Sequence, residues 1–186
     1  MVKAVGCRAV CRAETRYSPV QIRPPAPGER VKLLFVHADY VNYQVKERAK
    51  FAEEISHNRK AGGMRNPLIV FACVEKVDGR ANVVDGTVGE IKEVASKVKT
   101  RNITLFPFAH LSEDLASPFC AVELLAQVEA KLKGDGFLVI RVPFGWYKAF
   151  EFKSKGHPLA VLSRSIPKKA NLAPLSLQVG CSPHVK

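Results

Sequence analysis

From residue 31 onward the apolar positions fall into two rhythms. Short unbroken apolar runs of strand length occur at Lys32–His37, Leu68–Val74 and Ile103–Phe106, rich in Val, Ile and Phe. Between the second and third, Val88, Ile91, Val94, Ala95 and Val98 recur at helical spacing on a charged background, one apolar stripe over 85–100. Ser117-Pro118 opens a second helix, with a hydroxyl to cap it and a proline where its missing N–H costs nothing. Val122, Leu124, Leu125, Val128 and Leu132 carry that helix to Gly134, a natural C-terminal stop. Phe137–Val142 and Tyr147–Ser154 predict two further strands joined across Phe144-Gly145. Gln44–Ser56 is charged and helix-compatible, followed by a break at Gly62-Gly63. Strands alternating with two amphipathic helices predict an α/β fold: a mixed β-sheet with helices packed on one face.

The two ends lack this patterning. Arg23-Pro24-Pro25-Ala26-Pro27-Gly28 cannot continue a helix or a central strand, so residues 1–30 read as an extension. Residues 167–186 have scattered prolines and no period, and are expected to fray as a tail. That leaves 31–166 as one domain, long enough to bury a full core. No apolar run approaches the length of a bilayer span, and the N-terminus lacks the apolar core of a secretory signal. The five cysteines are an odd set without paired metal-ligand spacing. They read as reduced, mostly buried thiols, which places the protein in the cytoplasm and calls for neither metal nor cofactor.

Charge changes the picture more than composition does. The net charge is +12, but 31–130 balances thirteen basic against thirteen acidic residues. Residues 1–30 hold six Lys and Arg against two acids, and 131–186 hold ten against two. A neutral body with a basic C-terminal third predicts a face for a polyanion, nucleic acid above all. Lys153, Lys155, Arg164, Lys168 and Lys169 are the candidates for phosphate contacts.

Familiar enzyme motifs are missing: no phosphate-cradling Gly-rich loop, no His-Glu-x-x-His, no Gly-x-Ser-x-Gly. The dense stretch is Pro143-Phe144-Gly145-Trp146-Tyr147-Lys148, running on to Phe150 and Phe152 and closing at Gly156-His157-Pro158. Crowding a cation among aromatics beside a glycine suits a pocket for a nucleoside or an aminoacyl group, where rings stack and the amine reaches oxygens. Strand alternation puts Lys148 on one face with Phe150 and Phe152, partly desolvated; snorkelling along a sheet edge is the plainer role. His37 and Asp39 share a strand face, and read better as a pair fixing a turn than as a catalytic dyad. His110 follows Pro107-Phe108-Ala109 at a strand end, where α/β folds place ligands, but a His there can equally cap the next element. His157-Pro158 reads as a rigid structural corner.

Three segments in register carry a family likeness. Leu33-Leu34-Phe35-Val36-His37-Ala38-Asp39-Tyr40, Phe106-Pro107-Phe108-Ala109-His110-Leu111 and the stretch from Pro143 to Leu159 together resemble the N-terminal editing domain of archaeal threonyl-tRNA synthetases, over 31–166. The resemblance implies the fold of D-aminoacyl-tRNA deacylases, which form homodimers. It implies a pocket lined by Val74, Pro107, Phe108, Ala109, His110, Phe144, Gly145, Trp146 and Tyr147, with Lys148 the main polar side chain at the misacylated amino acid. The implied activity is hydrolysis of serine from threonine tRNA, by a placed water helped by the terminal 2′-hydroxyl of the tRNA. A D-aminoacyl-tRNA deacylase and a non-catalytic tRNA-binding module are the other readings. No segment resembles the synthetase's other domains, so the chain reads as an editor acting in trans beside a separate synthetase, or as an excised domain. One departure stands out: where the family has a Glu near the pocket Lys, this chain has Val161, which is expected to leave Lys148 without a nearby carboxylate.

Overall fold

The first strand, β1 (Val31–Arg48), is 18 residues long and belongs to two layers at once. A computed structural model describes residues 31–76 and 82–166 of the chain; the extension, the tail and the lysines Lys168 and Lys169 lie outside them. The first half of β1 pairs antiparallel with β3 (Leu68–Val74) on one side and β7 (Val161–Ile166) on the other. Its second half pairs antiparallel with β2 (Ala61–Arg65) and β6 (Trp146–Ser154). The register slips between Ala38 and Val41, an irregularity of the kind that bends a strand and carries it from one layer into the next.

From β3 the chain makes two parallel steps, through α1 (Asn82–Lys97) to β4 (Asn102–Pro107) and through α2 (Pro118–Gly134) to β5 (Leu138–Arg141). The result is a seven-stranded mixed sheet with both helices on one face. Every residue of β3 is buried because both of its faces are covered. Leu68, Val70, Ala72 and Val74 point into the core under the helices with Ile91, Val94, Leu125, Val128 and Leu132. Ile69 and Phe71 point the other way, under the folded-over half of β1 with Val41, Tyr43, Met64 and Phe106. Each fully buried Leu, Ile or Phe contributes about 1.5–3 kcal/mol of transfer free energy.

Both helices match their sequence signals. Ser117 caps α2, its Oγ accepting from the Cys120 N–H at 3.2 Å, and Pro118 occupies the first turn. The expected helix over Gln44–Ser56 is instead strand to Arg48, then loop. The reason is tertiary: Val41 and Tyr43 are buried while Asn42 and Gln44 are exposed, a period of two, and partners on both sides satisfy the backbone. Gly62-Gly63 is no break either, because Gly62 lies in β2 opposite Tyr43, where a Cβ would sit 2.8 Å from the tyrosine ring. The strands either side of Phe144-Gly145 exist but do not pair with each other; β5 lies beside β4 while β6 crosses to β1. Among the described residues no helix is long and apolar enough to cross a membrane.

Candidate active site

Parallel strands gather their carboxyl ends at one edge of the sheet, and α/β folds put ligands there. Here the ends of β3 and β4 and the turn after β5 open onto a cavity of about 460 Å³. Its walls are Ala72, Cys73 and Val74 from β3, and Phe106 to His110 from the end of β4 and the turn that follows. Pro118, Ala121 and Leu125 of α2 close one side, and Phe144 to Lys148 with Phe150 close the other. Val74, Pro107, Phe108, Ala109, His110, Phe144, Gly145, Trp146, Tyr147 and Lys148, read from sequence as pocket residues, all line this one cavity.

Lys148 is held in place rather than free to wander. Its Nζ donates to the Pro143 carbonyl at 2.9 Å and lies 5.3 Å from the centre of the Phe106 ring. As alternation requires, Phe150 and Phe152 share its face and pack toward Phe71, and Phe150 also toward Phe106. Burial among these rings lowers its pKa to about 8, against the opposing pull of the Glu53 charge. It is therefore still mostly a cation at neutral pH, in apolar walls where its field is weakly screened.

The turn carrying Phe144 and Gly145 is clasped by the loop after β1. Ala49 N–H donates to the Gly145 carbonyl at 3.0 Å, and Glu53 N–H to the Phe144 carbonyl at 3.2 Å. In return the Phe144 N–H donates to Glu53 Oε1 at 2.9 Å, and the Trp146 indole Nε1 to the Glu53 carbonyl at 2.9 Å. Arg141 grips the same carboxylate with two nitrogens, each at 3.0 Å, and Arg59 reaches it at 3.2 Å. Arg141 in turn donates through Nε to Glu129 at 2.8 Å. No local sequence signal marks this set: Glu53 sits in the stretch that reads as a charged helix, and its partners Arg141, Phe144 and Trp146 come from far along the chain.

The carboxylate acting on Lys148 is thus Glu53, which corrects the expectation of a lysine left alone by Val161. Val161 stands opposite Val36 on β1, whereas Lys148 stands opposite Val45 in the other layer, and Val161 does not line the cavity.

The remaining candidates lie outside the cavity. Asp39 pairs with Lys155 at 2.8 Å and Lys153 at 3.4 Å, not with His37. Arg164 donates to the buried Glu90 of α1 at 2.9 Å. His37 finds His157 instead, Nδ1 to Nε2 at 2.8 Å, with its Nε2 3.1 Å from Asn66 Oδ1. Leu159 N–H donates to His157 Nδ1 at 3.2 Å, which orders the run. His157 then donates to His37, and His37 to Asn66. His157 is thus part of a rigid corner, tied back to β1. Burial lowers the His37 pKa, so the stability it lends is complete above about pH 6.5 and is lost as pH falls through the lowered value. Melting curves from pH 7.5 to 5 are expected to show Tm falling below about pH 6.5, and falling less in His37→Gln. Equal slopes in the two proteins would take His37 out of the pH response.

The site combines one desolvated cation, apolar walls and the polar backbone of two turns. That set suits polarising an activated carbonyl. The model of the archaea-specific editing domain of threonyl-tRNA synthetase matches residues 31–166. Threonine–tRNA ligase of Thermococcus onnurineus is 51% identical over 139 residues, 73% of this chain and 22% of the ligase. The ligases of Methanobrevibacter smithii and Pyrococcus furiosus are each 46% identical, over 73% and 76% of this chain. The chain spans less than a quarter of the length of these relatives. With the family model matching most of its length, this chain belongs to the archaea-specific editing domains of threonyl-tRNA synthetase.

Proposed function

We propose that this protein proofreads threonine tRNA in the cytoplasm by hydrolysing the ester of wrongly attached L-serine, releasing serine and a tRNA free to be charged again. The observation that carries the reading is Lys148, a held cation sharing one apolar cavity with the Phe106–His110 and Phe144–Tyr147 segments. The ester is already activated, so a placed water, the neighbouring 2′-hydroxyl of the terminal ribose and a fixed positive charge suffice. Positioning and charge stabilisation each supply several kcal/mol without a side-chain base. The need for such a site follows from specificity: a missing methyl is worth about 1–3 kcal/mol, too little for a synthetase to exclude serine by binding alone. The protein works as a homodimer in this reading, and hands the cleared tRNA to a synthetase acting in trans.

The deciding experiment compares hydrolysis of L-seryl-, L-threonyl- and D-aminoacyl-tRNA by the full chain. Preferential loss of L-serine supports the proposal. Preference for D-amino acids would make the protein a chirality editor, and binding without hydrolysis would reduce it to a tRNA-binding module.

Binding of the tRNA body belongs to the basic surface. Lys153 is largely exposed beside Asp39, and with Lys155, Arg164, Lys168 and Lys169 it offers a set of phosphate contacts. Arg164 is the weakest member, being committed to Glu90. With about four phosphates neutralised, tRNA affinity is expected to fall roughly a hundredfold between 50 and 200 mM salt. A flat response in a filter-binding titration would assign these charges to solubility alone.

A further inference from the structure

We propose that Glu53 is the positioning residue of the site: one carboxylate fixes the Phe144 turn that shapes the cavity and supplies the counter-charge for Lys148. The inference rests on the editing reading for its activity arm only. Glu53 is mostly buried, with 12% of its side chain exposed; it stands behind the cavity wall, bonded to Phe144 and Trp146 that line it, and does not line the cavity itself. Its contacts divide between two tasks. Oε1 accepts from the Phe144 N–H and its main chain bonds to Phe144 and Trp146, so it sets the path of the turn. Pro143, whose carbonyl receives the Lys148 ammonium, is the residue just before Phe144. Displacing the turn at Phe144 therefore displaces the acceptor that aims Lys148.

The second task is electrostatic. Around the ammonium, the titratable cavity residues are Cys73 from β3, His110 after β4 and Tyr147 beside it on β6, and the opposing negative charge comes from Glu53. Arg141 binds both oxygens of that carboxylate and Arg59 binds Oε1, which fixes its orientation. Arg141 is 9% exposed and doubly held, by Glu53 and by Glu129, so the clamp is anchored to α2. A cation set deep among aromatic rings loses its proton readily; the buried anion opposes that loss.

The chain contains a single tryptophan, Trp146, and its indole N–H bonds the Glu53 carbonyl, so the turn reports on itself. In Glu53→Gln the Trp146 emission maximum is expected to shift. The Lys148 titration, followed by NMR of the labelled side chain, is expected to move below about 8 by half a pH unit or more. Neither readout needs a substrate. With seryl-tRNA, kcat is expected to fall more than KM rises, and the alkaline limb of the pH profile to move down with the titration. In a Lys148→Met background the further loss from Glu53→Gln should shrink, because the two act through one ammonium. Should Glu53→Gln fail to fold, Glu53→Asp keeps the charge on a shorter stem: the emission shifts while the Lys148 titration stays near 8. Unmoved emission and titration in a folded Glu53→Gln, or unmoved emission in Glu53→Asp, overturns the proposal. Spectroscopic shifts without any seryl-tRNA hydrolysis in the unmodified protein would instead overturn the editing reading and leave the positioning role standing.

Discussion

Replacing Lys148 with Met is expected to cut seryl-tRNA hydrolysis at least about tenfold, some 1.4 kcal/mol of transition-state stabilisation, while tRNA affinity barely changes. Stability should move the other way. The pKa of Lys148 is lowered to about 8 in the folded protein, by burial first. Between that value and the ordinary lysine range the unfolded chain binds more protons than the folded one, so this group adds stability as pH rises and subtracts it at neutral pH. Removing a strained cation from an aromatic nest relieves that cost, so Tm at pH 7 should rise in Lys148→Met, the usual exchange between activity and stability at a working site. Single-turnover deacylation and a thermal melt on the same preparation check both halves. Unaltered turnover would remove Lys148 from the chemistry; lowered Tm would mean that its bond to Pro143 outweighs its burial.

The second large effect belongs to Gly145. Its φ is +71°, a conformation that L side chains rarely adopt, and a Cβ there would sit 2.6 Å from both the Ala52 Cα and the Phe51 carbonyl oxygen. Those neighbours are backbone, so neither can rotate aside. Gly145→Ala is expected to cost about 2–5 kcal/mol, combining the left-handed φ with an overpacked contact, and to lower Tm by roughly 5–15 °C. Relief requires the turn to part from the loop after β1, which breaks the Ala49–Gly145 bond and lets Phe144 leave the cavity wall. Activity should therefore fall even at temperatures where the variant is fully folded. A melt within two degrees of the unmodified protein would show that the loop yields more easily than its backbone contacts imply.

Much of the fold is legible where one element's own residues decide it. The stripe at Val88, Ile91, Val94 and Ala95 and the Ser117-Pro118 start mark the two helices because amphipathic period and capping are local properties. The unbroken run Leu68–Val74 signals a strand, and it is one, with both of its faces covered in the fold. The cavity walls that the family resemblance implies are Val74, the Pro107–His110 segment and the Phe144–Tyr147 segment; the α2 side, Pro118, Ala121 and Leu125, carries no such signal. What escaped was non-local. The far half of β1 is a strand only because β2 and β6 flank it, and its charged residues hide that from a helical reading. β7, Val161–Ile166, carries Ser163, Arg164 and Ser165 in its middle, so it has little apolar signal of its own and is a strand through its pairing with β1. Glu53 escaped for the same reason: its partners Arg141 and Phe144 lie 88 and 91 residues away, and only the folded chain brings them to it.

The pairing of the first strand with the last has a consequence for how such a unit travels. Val31 stands directly opposite Ile166, so the two points where the domain joins the rest of its chain are hydrogen-bonded neighbours. A module whose entry and exit coincide can be spliced into a longer polypeptide, or tethered to one, without stretching its interior. The matched segment of the Thermococcus onnurineus ligase is accordingly part of a chain more than four times its length.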